Sequence, residues 1–120
     1  MKGGVVLVCG SRYWEDYALI AMVLSTLPRN TTVIHGDCRG ADRLAGKAAE
    51  YLGMKVRKFP ADWKKHGPSA GPKRNQQMLD EGKPGIVYVF HDDIESSKGS
   101  KDMKRRAEKA GIKVNIYGGE

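Results

Sequence analysis

Five short β-type apolar runs alternate with four stretches whose apolar positions recur at helical spacing, and that alternation sets the expected fold. Val5 to Cys9 is almost continuously apolar, the pattern of a strand buried on both faces of a parallel sheet. From Tyr17 to Leu27, Ile20, Val23, Leu24 and Leu27 form the i, i+3, i+4, i+7 stripe of an amphipathic helix. Asp16 is placed to cap that helix and Pro28-Arg29-Asn30 to end it. Thr32 to His35 predicts a second strand. Ala41, Leu44, Ala45, Ala48, Ala49 and Leu52 trace a second helix, with Gly53 at its left-handed C-terminal position. Met54 to Phe59 alternates apolar and basic residues, as a strand nearer a sheet edge does. Pro72 suits the start of a third helix through Leu79, stopped by Gly82. Ile86 to Phe90 predicts a fourth buried strand, Ser100 caps a last helix running to Ala110 and closed by Gly111, and Val114 to Tyr117 is the fifth strand.

Strands separated by helices of these lengths need right-handed crossovers, which gives a parallel sheet covered on both faces. The expected fold is therefore α/β: one Rossmann-like three-layer sandwich over residues 1–120, with a five-stranded, mainly parallel sheet. Ligands of such folds bind beyond the carboxyl ends of the strands, near the switch in strand order. The loops 10–15, 36–40, 60–71 and 91–99 would meet there, and they hold the unusual polar residues of the chain.

Composition narrows the function classes. A chain of 120 residues with 40% hydrophobic and 29% charged content is large enough for one core without disulfide or metal staples. No apolar run has the length of a membrane span, and Met1 to Gly4 leads directly into the first strand without room for a signal peptide, so a cytoplasmic protein without membrane contact is expected. Cys9 and Cys38 fit neither a disulfide framework nor a zinc site and read as reduced residues at the core edge. The formal net charge of +7 gathers in the second half: residues 1–54 carry six Lys/Arg against five Asp/Glu, and residues 55–113 carry fifteen against eight. A basic half favours anionic partners. In the last helix, however, Lys104, Arg105, Arg106 and Lys109 mix with Asp102 and Glu108, the pattern of a solvated face.

The candidate chemistry lies in the loops. Gly10-Ser11-Arg12 follows the first strand: Gly10 permits a tight turn, Ser11 donates to an oxygen, and Arg12 is suited to clamp phosphate. Of the aromatic pair that follows, Tyr13 and Trp14, a core cap is expected more than a base platform. His35-Gly36-Asp37-Cys38-Arg39-Gly40-Ala41-Asp42 is a glycine-containing turn between a strand and a helix start. Helix N–H groups favour an anion there, glycine at Gly36 and Gly40 allows close approach, and Arg39 offers a bidentate guanidinium. Asp42 reads as a brace for the loop, Asp37 as a ribose ligand or base. Phe59-Pro60-Ala61-Asp62-Trp63 puts a carboxylate beside an indole. Asn75, one turn before the buried Met78 and Leu79, points inward, where its amide either braces loops or faces a ligand. Arg74 precedes it. Gly99-Ser100 at the last helix start is a candidate second phosphate cradle. The acidic loop from His91 reads as exposed, and no metal or cofactor is expected.

Those blocks, with Ala70-Gly71-Pro72-Lys73-Arg74-Asn75 and Ala110-Gly111-Ile112-Lys113-Val114, resemble the YspA-like, YpsA-related branch of the SLOG superfamily over nearly the whole chain. The resemblance implies a small domain that binds a nucleotide or nucleotide-derived phosphate ligand. Arg12, Arg39 and the backbone at Gly10 and Gly36 would hold phosphate, and Asp37 or Asp62 the ribose. The superfamily includes cytokinin-activating phosphoribohydrolases, which implies N-glycosidic hydrolysis as an alternative with Asp37 and Asp62 as the catalytic carboxylates. It also includes DprA, which implies single-stranded nucleic-acid binding as a third option, with the basic half as groove and Trp63 as stacking platform. Where the phosphoribohydrolases carry a Pro-Gly-Gly-x-Gly-Thr loop, this chain has the longer His91 to Ser100, which favours binding over hydrolysis. A homo-oligomer stands as one option for the assembly. Arg12, Arg39, Asp62, Arg74 and Asn75 are expected to border one cleft.

Overall fold

Five strands hydrogen-bonded side by side, with every neighbouring pair parallel, are the frame of the molecule. The computed structural model describes residues 4–119; Met1, Lys2, Gly3 and Glu120 lie outside the described residues. The strands are β1 (Val5–Gly10), β2 (Thr32–His35), β3 (Lys55–Lys58), β4 (Ile86–Phe90) and β5 (Lys113–Tyr117). Helices α1 (Tyr17–Ser25) and α2 (Ala41–Tyr51) cover one face. On the other lie α4 (Ala70–Gln77), continued by a π-helical turn over Met78–Gly82, and α5 (Lys98–Lys109). This is the expected Rossmann-like three-layer α/β fold, with all strands parallel.

Period-two alternation in the buried strands builds both layers of the core. Val6, Val8, Val33, Tyr88 and Phe90 face α1 and α2, where they meet Ile20, Leu24, Ala45 and Ala49. Leu7, Cys9, Ile34, Val87 and Val89 face the other side and meet Met78, Leu79, Met103 and Ala107. β3 is an edge strand, as its mixed pattern predicts, and Lys55, Arg57 and Lys58 stand exposed on it. Both cysteines are free thiols, Cys9 buried and Cys38 half-buried. Among the described residues no helix is long and apolar enough to cross a membrane.

Several element boundaries differ from the sequence expectation. A fifth helix, α3 (Trp63–His66), and a 3-10 turn over Gly67–Ser69 occupy the segment read as loop 60–71. Asp62 caps α3 by accepting the N–H of Lys65 at 3.1 Å. The 3-10 turn then feeds into α4, which begins at Ala70, so Pro72 lies inside its first turn, where the missing N–H has no intrahelical partner to lose. The last helix begins at Lys98 with Ser97, and not Ser100, as its cap: Ser97 Oγ accepts the N–H of Ser100 at 3.1 Å.

Candidate functional site

The order β3-β2-β1-β4-β5 reverses direction between β1 and β4, and the loops leaving those two strands and β2 form the rim at that switch. The N–H of Ser11 donates to the Phe90 carbonyl at 2.9 Å, and the Ser11 carbonyl accepts the N–H of Ala41 at 3.0 Å. The loop after β1 is thereby tied to the end of β4 on one side and to the start of α2 on the other. Gly40 sits at this crossing with φ 74°, and a Cβ there would overlap the backbone of Ser11 and Arg12. Only glycine lets the two loops touch.

The crossing leaves a hollow of about 540 Å³ lined by Arg12, Tyr13, Trp14, Glu15, Arg39, Gly40, Arg43 and Leu44. Trp14 is the expected core cap: it is buried, packs edge-on to Phe90 and donates its indole N–H to the Asp16 carbonyl. Tyr13 is not the core cap expected of it: it is 75% exposed, on the lining of the hollow. Arg12 and Arg39 are both exposed, and neither forms a hydrogen bond or ion pair through its side chain among the described residues. Arg43 is held by Asp37, Nε to Oδ1 at 3.5 Å. Asp37 itself has φ 59°, the left-handed region that a non-glycine residue occupies only when its surroundings hold it there.

Backbone donors at the start of α2 are largely spent within the protein. Ala41 donates to Ser11, Arg43 to the Cys38 carbonyl and Leu44 to the Gly40 carbonyl. The N–H groups of Gly36 and Cys38 both go to Asp42 Oδ2, at 3.0 and 3.3 Å. Asp42 is thus the brace expected of it. Burial raises its carboxyl to about 6, against the opposing pull of the Cys38 N–H, the Arg74 charge and the Gly36 N–H. With Gly36 committed in this way, the available positive charge at the rim comes from guanidinium groups.

Arg74 and Asn75 work elsewhere. Arg74 Nη1 donates to the carbonyls of Gly36 (2.6 Å) and Phe59 (3.3 Å), and its Nε to Asn75 Oδ1 (3.1 Å). Asn75 is buried and donates Nδ2 to the Gly99 carbonyl and to Asp102 Oδ2. Burial would raise the Asp102 carboxyl, but hydrogen bonds from Arg106, Asn75 and Arg105 hold it below the ordinary value. Together these residues lace the loop after β2, the end of β3, α4 and α5 into one unit. Of the five residues expected around one cleft, the hollow gathers Arg12 and Arg39; its lining does not include Asp62, Arg74 or Asn75. Asp62 and Trp63 open α3, with Trp63 58% exposed. Gly99 and Ser100 lie in the first turn of α5, one carbonyl and one N–H already engaged. Among the described residues no three His, Cys, Asp or Glu side chains gather as metal ligands. His91 Nδ1 instead accepts the N–H of Asp93.

Sequence reasoning missed Arg43. Its signal was its place as the third residue of the helix expected to open at Ala41, directly after the glycine-containing turn.

Comparison with known proteins adds three findings. The model of the YAcAr family, described as the YspA, cpYpsA-related SLOG family, matches residues 4–66. The Gene 61 protein of Mycobacterium phage D29 is 36% identical over 94% of this chain and 95% of its own length. In fold, the chain is similar to the C-terminal domain of a hydrogenase from Pyrococcus furiosus, with a TM-score of 0.52 and 12% identity over 98% of this chain and 94% of that one.

Proposed function

Because the chain belongs to the YspA, cpYpsA-related SLOG family, we propose that it binds a nucleotide or nucleotide-derived phosphate ligand, with the phosphate in the arginine hollow at the carboxyl rim of the sheet. The observation that carries this reading is that Arg12 and Arg39 line one hollow without side-chain partners among the described residues. A planar guanidinium takes phosphate oxygens through two parallel N–H bonds, and two of them facing one space cover the oxygens of a single phosphate. The exposed Tyr13 ring offers a flat surface for a base beside it. Asp37, outside the lining but paired with Arg43 of its wall, is the acceptor we assign to a ribose hydroxyl.

Binding is favoured over N-glycosidic hydrolysis. Such a reaction needs a carboxylate for the ribosyl centre and a group to move a proton. Asp62 is engaged as the cap of α3 and Asp37 as the partner of Arg43. The test is a thermal-shift panel of mono-, di- and cyclic nucleotides and ADP-ribose. At least one should raise the melting temperature, since a ligand at a hundred times its Kd stabilises by about 2.7 kcal/mol. Arg12→Ala and Arg39→Ala should each remove the shift. A flat panel, or a shift that survives both substitutions, overturns the proposal.

A further inference from the structure

The sheet ends in β3 on one side and β5 on the other, and the charge of the molecule gathers at β3. Residues 55–74 carry seven Lys/Arg against a single acid, Asp62, which is a net +6 out of the chain's +7. Asp62 Oδ1 is itself engaged, accepting the N–H of Lys65. β5, by contrast, bears one charged residue, Lys113. Four of the five ion pairs among the described residues involve α5, and the fifth joins Arg43 to Asp37. The basic residues of α5 are therefore largely offset, while Lys55, Arg57 and Lys58 stand exposed on β3 without an ion pair among the described residues.

The backbone of β3 is open on the same side. The N–H of Phe59 donates to the His35 carbonyl at 2.8 Å. Alternate residues of a strand bond to the same neighbour, so Lys55 and Arg57 turn their backbone groups toward β2 as Phe59 does, and Val56 and Lys58 turn theirs to the free edge. Among the described residues no backbone group outside the sheet takes them up. Side chains alternate as well. Val56 packs into the core under α2, and Lys58 is on that face, with Lys47 and Glu50 of α2 beside it. Lys55 and Arg57 share the opposite face with Phe59, where the Arg57 guanidinium lies over the Phe59 ring at 4.9 Å. A free ladder and two cations spaced two residues apart thus coincide on one strand.

We propose that β3 is a docking edge for an acidic, extended segment of another protein, which adds a sixth strand to the sheet. The backbone of that segment pairs with the N–H and C=O groups of Val56 and Lys58, and its acidic side chains at alternate positions meet Lys55 and Arg57. A second copy of this chain is the wrong occupant. Pairing β3 antiparallel to its own copy sets Lys55 against Arg57, or Arg57 against its counterpart, and like charges directly opposite repel. A nucleic acid would meet the charge and leave the ladder unpaired. The edge stands apart from the arginine hollow and does not depend on what that hollow binds.

The probe is an acetylated and amidated octapeptide of alternating glutamate and threonine, titrated into the full chain and followed on the backbone amides by ¹H–¹⁵N correlation spectroscopy. The Val56 and Lys58 amides should shift saturably and exchange more slowly with water, while those of β5 stay in place. Lys55→Glu and Arg57→Glu each replace an exposed side chain, and each should weaken the binding by about tenfold or more; Lys113→Glu should leave it unchanged. The same peptide N-methylated at every residue keeps its charge and cannot donate to a ladder, so its binding should fall by about tenfold or more as well. Val56 and Lys58 amides that the peptide does not move overturn the proposal, as does binding that survives both charge reversals. Equal binding of the methylated peptide, or of an oligothymidylate, would mean attraction of any polyanion and overturns it too.

Discussion

Gly46→Ala sets two opposing effects against each other, and the structure decides the sign. Replacing a mid-helix glycine by alanine is worth about 1 kcal/mol of helix propensity. Against that, the new Cβ would lie 2.7 Å from His35 Nε2, far inside ordinary contact. The imidazole has nowhere to go: it is buried, and its other nitrogen is bonded to the Asp37 N–H at 2.9 Å. Either α2 lifts from the sheet or the ring turns and that bond is lost. Overpacking of this kind costs about 1–3 kcal/mol, and the bond about 1 kcal/mol more. The net expectation is a loss of about 2 kcal/mol, or a melting temperature lower by about 5–10 °C in a domain of this size. Thermal and urea unfolding followed by circular dichroism measure it, with an unchanged urea dependence showing that the unfolded state is not the cause. The reasoning fails if Gly46→Ala is as stable as the parent or more so. A second arm isolates the contact: in a His35→Ala background the same substitution should stabilise, by about the propensity gain. If it still destabilises there, the imidazole is not what alanine meets.

The remaining predictions concern the polar brace beneath the rim. Asp42 has a folded-state pKa raised by burial from 3.8 to about 6, so between those values the folded protein holds a proton that the unfolded chain releases. Stability relative to an Asp42→Asn variant should therefore decline as pH rises through that window and stay level above it; a difference that grows with pH would contradict the burial argument. Arg74→Ala should lower stability by about 3 kcal/mol in urea unfolding, because the carbonyls of Gly36 and Phe59 and the amide oxygen of Asn75 lose their donor together. Arg74→Lys should recover only part of it, since one ammonium cannot reproduce the planar fork.

The fold was legible where sequence pattern and burial coincide. β2 and β4 have the bounds their apolar runs predict, and Asp16 caps α1 as expected, because a strand buried on both faces and a capped amphipathic helix leave strong local signals. α3 left none: four residues, three of them Lys64, Lys65 and His66, carry no apolar stripe, and its cap Asp62 resembles a ligand carboxylate. The site was legible in part. Arg12 and Arg39 were singled out by their loops, and loops at the carboxyl rim are where this fold puts ligands. Arg74 looked equally suited to phosphate, yet its partners are carbonyls 38 and 15 residues away, a commitment that no local pattern encodes.

Strand order has a consequence for how the arginine hollow comes into being. The segment 4–66 matched by the family model contains the first three strands, α1, α2 and α3. Taken alone, it would leave one long edge of β1 without hydrogen-bond partners and Leu7, Cys9, Ile34 and Phe59 open to water, because β4 and the helices that cover them come later. The Ser11 N–H that seats the loop of Arg12 would also lack its acceptor, the carbonyl of Phe90. The most recognisable half of the chain carries the arginines, and the less recognisable half holds them in position. A nascent chain released before Phe90 would possess every residue lining the hollow and still not have the hollow.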